Sequence, residues 1–122
     1  MKETAITQSI LKWLVAQGGD GYHVHGNAFQ RAGEPDIDGH IYDKRVGCWQ
    51  HLKLEVKTPT GRPTELQLMR LSQYHRCGYV AGIVTCIADV EAVLYIYSVA
   101  AVKSWADIAE RKELWYWREI YG

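Results

Sequence analysis

At 122 residues the chain has room for one compact domain, and a hydrophobic content of 48% supplies a core and excludes a disordered chain. Fourteen basic residues balance fourteen acidic ones, so a polycation that coats nucleic acid in bulk is excluded as well. Three cysteines, Cys48, Cys77 and Cys86, are odd in number and form no Cys-x-x-Cys pair. They read as free thiols in a reducing compartment, with the role of small buried hydrophobes. Lys2 and Glu3 open a mixed-charge segment unlike a signal peptide, and Asp89 and Glu91 interrupt the apolar stretch 79–102 too often for a membrane span. The expectation is one intracellular, cytoplasmic domain over residues 1–122 with no membrane contact.

Residues 3–17 predict a helix, because Ile6, Ile10, Trp13 and Leu14 recur at helical spacing and Gly18-Gly19 stops it. Residues 23–30 are polar and predict a short strand or loop. Residues 36–42 and 49–57 predict the two strands of a hairpin, with 43–47 as its turn. Residues 58–63 hold two prolines and a glycine and read as a loop. Residues 64–77 predict a helix with Thr64 as N-cap, Gln67 at the third helical position and Gly78 beyond the end. The apolar, β-branched run 79–87 predicts a buried strand and 92–98 another. From Val99 on, the chain reads as helical or irregular. The order describes an α/β domain with a small mixed sheet flanked by helices, and the helix between 49–57 and 79–87 permits a parallel crossover.

The densest chemistry lies in Gly33-Glu34-Pro35-Asp36-Ile37-Asp38 and Leu52-Lys53-Leu54-Glu55-Val56-Lys57. Strand side chains alternate, so Glu55 and Lys57 share one face while Leu52, Leu54 and Val56 point into a core. Asp36 can supply a second carboxylate from the neighbouring strand. Hard oxygen ligands of this kind suit Mg²⁺ or Mn²⁺, and a lysine beside them can orient or deprotonate water or offset charge on a phosphate. The chemistry expected is metal-assisted hydrolysis of a phosphodiester. A surface ion pair on an edge strand would fit Glu55 and Lys57 taken alone. Asp38 is either a further ligand or a solvated strand residue.

Glu3, in a first helical turn, is accounted for by the helix dipole. Gln67 either completes a capping box with Thr64 or faces the site to hold a phosphate or the attacking water. His23-Val24-His25 lacks the further ligands that zinc requires; His25 is a candidate for contact with a nucleic-acid backbone. Arg31, Lys44, Arg45, Arg62, Arg70 and Arg76 are surface charges that together can line a phosphate track. Trp105, Trp115, Tyr116, Trp117 and Tyr121 read as a self-association surface or as platforms for bases.

His25-Gly26-Asn27-Ala28-Phe29-Gln30, Gly33-x-Pro35-Asp36-Ile37, Glu55-Val56-Lys57-Thr58-Pro59, Pro63-Thr64-x-x-Gln67 and Gly78, in that order, resemble the stand-alone virus-type replication-repair nucleases (VRR-NUC), a branch of the PD-(D/E)XK superfamily. The resemblance covers roughly residues 3–86. It implies a restriction-endonuclease-like core, a mixed sheet with flanking helices. It implies Asp36, Glu55 and the Val56 backbone carbonyl as ligands of Mg²⁺ or Mn²⁺, Lys57 as the catalytic lysine, and Glu3 and Gln67 as further site members. His25, Asn27, Arg31 and Arg62 are the expected contacts to nucleic acid. The function implied is a structure-selective DNA endonuclease, a homodimer similar to Holliday junction resolvases, acting on branched DNA without a small-molecule cofactor. A phage setting also follows from the resemblance. The alternatives are a monomeric flap or nicking nuclease and a catalytically silent DNA-binding module that kept the fold.

Overall fold

Ile6, Ile10 and Leu14 recur every fourth residue and are at most 3% exposed, which places them on the inner face of α1 (Glu3–Ala16). The structure, a computed structural model, describes residues 2–24, 31–45 and 47–100, with only the backbone of 97–100. The expected stop of α1 at Gly18-Gly19 is present: the Gly19 N–H reaches the Leu14 carbonyl (2.9 Å) and the Gly18 N–H the Val15 carbonyl (3.0 Å), closing the helix end. The chain then enters β1 (Asp20–His23), a strand the sequence reading did not place. The candidate strand or loop at 23–30 lies largely outside the described residues, as do His25 and Asn27.

The predicted hairpin forms as β2 (Ile37–Asp43) and β3 (Cys48–Val56), antiparallel, with Asp43 opposite Cys48 at the turn. Next comes α2 (Glu65–Arg76), whose capping box is complete: the Gln67 N–H donates to Thr64 Oγ1 (3.1 Å) and the Thr64 N–H to Gln67 Oε1 (2.9 Å). Gly78, at φ +93, lets the chain reverse into β4 (Val80–Val84), which pairs with β3 in parallel. The sheet order among the described residues is β1-β2-β3-β4. Among the described residues the result is a four-stranded mixed sheet with three helices.

Three expectations need correction. Residues 92–98, read as a strand, belong to α3 (Ile87–Ala100). Val90, Val93 and Leu94 are buried at helical spacing, and Asp89 Oδ2 accepts both the Thr85 N–H and the Thr85 hydroxyl at 2.7 Å, which anchors the helix start. The helix is apolar on most of its surface, so its periodicity is weak and its β-branched residues imitate a buried strand. The strand expected over 79–87 is correspondingly short. The cysteines, read as buried, are exposed; each sits at the end of an element.

One sheet face packs on α1 and α3 through a single cluster that includes Ile37, Leu52, Leu54, Val56, Val80 and Val84. The other face is covered over β3 and β4 by α2, where Leu71 meets Ala81 and Ile83. Leu54, 0% exposed at the centre of the first cluster, is the position where truncation should hurt most: Leu54→Ala is expected to cost about 2–5 kcal/mol. A urea melt checks this, and a loss under 1 kcal/mol would mean that the site collapses to fill the gap. Among the described residues no helix is long and apolar enough to cross a membrane.

Candidate metal centre

The register that pairs Ile37 with Leu54 brings Asp36, the residue just before β2, opposite Glu55. Two hydrogen bonds hold Asp36 there. Its carbonyl accepts the Val24 N–H (2.7 Å), and its Oδ2 accepts the Val56 N–H (2.8 Å). The second bond folds the carboxylate back across the end of β3. Lys57 stays beside that end because its N–H donates to the Val84 carbonyl (3.0 Å), which continues the parallel ladder one residue past β3.

Glu55 is only 2% exposed. Its Oε2 accepts Gln67 Nε2 at 3.2 Å and lies 3.5 Å from Lys57 Nζ. Its Oε1 is buried and has no donor among the described residues. A buried carboxylate is costly, and the titration of the group reflects this. Burial first, then the hydrogen bond to and the negative charge of Asp36, push the Glu55 pKa up to about 9, against the pull of Lys57. Metal-free, Glu55 therefore keeps its proton at neutral pH.

A divalent cation fits this arrangement. Two carboxylates converge, one of them has an oxygen without a donor, and a positive ion would replace the proton that Glu55 otherwise retains. Among the described residues no three His, Cys, Asp or Glu side chains gather to hold a metal. Mg²⁺ commonly takes one or two protein carboxylates and fills its octahedron with water and substrate phosphate, so a pair suffices.

The two readings of Gln67 are both realised. Its Oε1 completes the capping box while its Nε2 reaches Glu55, so one amide starts the helix and ties it to the site. Asp38 is not a ligand here. It points from β2 toward β3, where Lys53 Nζ and His51 Nε2 (2.7 Å) engage both oxygens. Burial works to raise the Asp38 pKa, but the hydrogen bonds of Lys53 and His51 outweigh it and hold it below the usual range. Glu3 is exposed on the first turn of α1, with no hydrogen bond or ion pair to Asp36, Glu55 or Lys57 among the described residues.

The basic residues divide. Arg31 pairs with Glu34 (2.6 Å), and Arg70 Nε donates to the Ala32 carbonyl (3.2 Å), both in the segment leading to Asp36. Arg62 is exposed in the loop between β3 and α2. Lys44 and Arg45 lie at the hairpin turn, at the far end of β2 and about 20 Å along the strand from Asp36. Arg76 hydrogen-bonds Ser72 on the last turns of α2. The aromatic residues from Trp105 to Tyr121 lie outside the described residues.

Glu34 and Tyr74 escaped sequence reasoning. The Tyr74 hydroxyl donates to Glu34 Oε2 at 2.5 Å, across forty residues of chain. One signal was available: Tyr74 lies two helical turns after Gln67 and so shares its face. Comparison of the chain with protein-family models, with curated proteins and with solved structures returns no match.

Proposed function

We propose that this chain is a Mg²⁺- or Mn²⁺-dependent, structure-selective DNA endonuclease of the PD-(D/E)XK type, and that it resembles the stand-alone VRR-NUC enzymes in substrate as well as in motif. The observation that carries the reading is the buried Glu55, with its unpaired oxygen, facing Asp36 and flanked by Lys57 and Gln67. Asp36 and Glu55 would hold the ion, with the Val56 carbonyl as a third donor. When bound, the ion supplies Lewis-acid stabilisation of charge on the phosphate and a more acidic water.

The chain's own residues do the rest. Lys57, 13% exposed and anchored at the end of β3, holds its ammonium 3.5 Å from Glu55 Oε2, where it would orient the attacking water or offset charge on the scissile phosphate. Gln67 holds Glu55 in place through the helix it caps. In-line attack then breaks a phosphorus–oxygen bond and leaves a 3′-hydroxyl and a 5′-phosphate. Arg62 and Arg31 are the described basic residues best placed by sequence to meet the backbone on either side. Among the described residues neither a recognition helix nor a zinc finger stands out, so recognition would rest on backbone and shape. By the same resemblance the working form is an intracellular homodimer, because symmetric cutting of a four-way junction needs two sites related by a two-fold axis.

The test is cleavage of end-labelled DNA with Mg²⁺, Mn²⁺ or EDTA, on a four-way junction, a 5′ flap, a splayed arm and a linear duplex. Symmetric, metal-dependent junction cuts from a species that sediments as a dimer are the expected result. Cuts in the flap alone from a monomer would keep the chemistry and discard the junction. Junction binding without cleavage under any metal would leave a silent DNA-binding module.

A further inference from the structure

The segment 31–36 that delivers Asp36 has no regular structure of its own, yet helix α2 grips it at three points. Arg70 Nε donates to the Ala32 carbonyl at 3.2 Å. Gly33, in left-handed backbone at φ +81, lies so close to α2 that a Cβ there would come within 2.7 Å of Leu66 Cγ. The Tyr74 hydroxyl donates to Glu34 Oε2 at 2.5 Å, while Arg31 Nε donates to Glu34 Oε1 at 2.9 Å. The Glu34 carboxylate is thus held at both oxygens, and it stands two residues before Asp36. Leu66, Gln67, Arg70 and Tyr74 lie along one side of α2. The same side therefore holds Glu55 through Gln67 and the Asp36 segment through Tyr74, Arg70 and Leu66.

Simple fold stability does not require so specific an arrangement. The Tyr74 ring already packs on Tyr79 (5.1 Å) and under Lys53 Nζ (4.7 Å), contacts that a phenylalanine would keep. The hydroxyl adds two bonds, both to the segment that leads to Asp36: it donates to the Glu34 carboxylate and accepts Arg31 Nη2 at 3.4 Å, while Pro35, between Glu34 and Asp36, is buried, fixes its own φ and restricts Glu34 before it. A bond to Glu34 is thereby transmitted to the orientation of Asp36.

We propose that Tyr74 and Glu34 are positioning residues: their hydrogen bond fixes the loop that presents the Asp36 carboxylate, and so sets the affinity of the site for its divalent cation. This rests on the metal-dependent reading above. Outer groups that orient a ligand carboxylate typically contribute 10–100-fold in metal affinity. The pair acts through Asp36, so substrate binding without metal is left alone.

The experiment is titration calorimetry of the purified full chain with Mn²⁺ and with Mg²⁺, for wild type, Tyr74→Phe, Glu34→Leu, Glu34→Gln and the Tyr74→Phe/Glu34→Leu pair. Thermal melts in EDTA and junction binding in EDTA run alongside. Tyr74→Phe is expected to weaken Mn²⁺ binding about tenfold, and the double variant by little more than Glu34→Leu alone, because the Tyr74–Glu34 bond is already lost in either single variant. Glu34→Gln, which keeps an acceptor for the hydroxyl, should retain more affinity than Glu34→Leu. Junction binding in EDTA should change less than twofold. Wild-type metal affinity in Tyr74→Phe, or a fall in melting temperature with unchanged affinity, overturns the proposal and leaves the network a stabiliser of the fold. If wild type binds Mn²⁺ but cuts no DNA, the nuclease reading falls while the positioning role is still decided by these affinities. If wild type binds neither ion, both fall.

Discussion

Glu55→Ala is expected to lower metal-dependent cleavage by roughly three orders of magnitude, about 4 kcal/mol of barrier, with DNA binding in EDTA nearly unchanged. The residue is 2% exposed, contacts Gln67 and Lys57, and faces Asp36, so its removal takes away the proposed ligand and the partner of both neighbours. Asp36→Ala should match it, with an added loss of fold stability of about 1 kcal/mol from the Val56 N–H it leaves without an acceptor. Lys57→Ala should lose roughly a hundredfold or more in rate at little cost in metal affinity. Single-turnover cleavage and Mn²⁺ calorimetry on each variant separate the two kinds of loss. Full activity in either Glu55→Ala or Lys57→Ala, from a sample free of contaminating nuclease, would falsify the assignment.

The second large effect concerns stability without metal. The folded-state pKa of Glu55, about 9, lies above its ordinary value of 4.5, so the folded chain binds this proton more tightly than the unfolded chain does. Its contribution is fully present below about pH 4.5 and is lost as pH rises toward 9. At pH 7 the loss is on the order of 3 kcal/mol. Glu55→Gln keeps the shape, offers Asp36 a donor and does not titrate. In EDTA, the variant should match wild type near pH 5 and exceed it progressively up to pH 9, as read by urea melts. Adding Mg²⁺ should narrow the gap by stabilising wild type alone, more at pH 8 than at pH 6, since the ion competes with the proton. Parallel pH profiles for the two proteins would mean that Glu55 is already ionised in the fold and that the buried pair is stabilised in some other way.

Much of the core was legible because it is local. Every-fourth-residue spacing placed Ile6, Ile10 and Leu14 on the inner face of α1, and strand alternation placed Leu52, Leu54 and Val56 inside and Glu55 opposite. Thr64, Gln67 and Gly78 announced where α2 starts and stops, because capping is a matter of neighbouring backbone groups. β1 was missed since its four residues, Asp-Gly-Tyr-His, have no apolar alternation and are recruited as an edge by β2. α3 was misread because an apolar helix buried on several sides loses the polar stripe that marks its period.

The sequence by itself determined which side of β3 carries Glu55 and Lys57, and that Asp36 precedes their partner strand. Alternation and chain order decide both, whatever packs around them. Only the tertiary structure decided that this side is dry at Glu55, since that depends on α2 crossing over β3 and bringing Gln67 to the carboxylate. It also decided between two neighbouring aspartates that look alike in sequence. Asp38 meets Lys53 and His51 across the hairpin, whereas Asp36 faces the Glu55 carboxylate and accepts the Val56 N–H. The Tyr74–Glu34 bond belongs to the same class. Its partners are forty residues apart, and nothing local to either one specifies the other. Pairings of that kind are set by how a helix docks on a sheet, and the docking is a property of the whole buried surface rather than of any short stretch of chain.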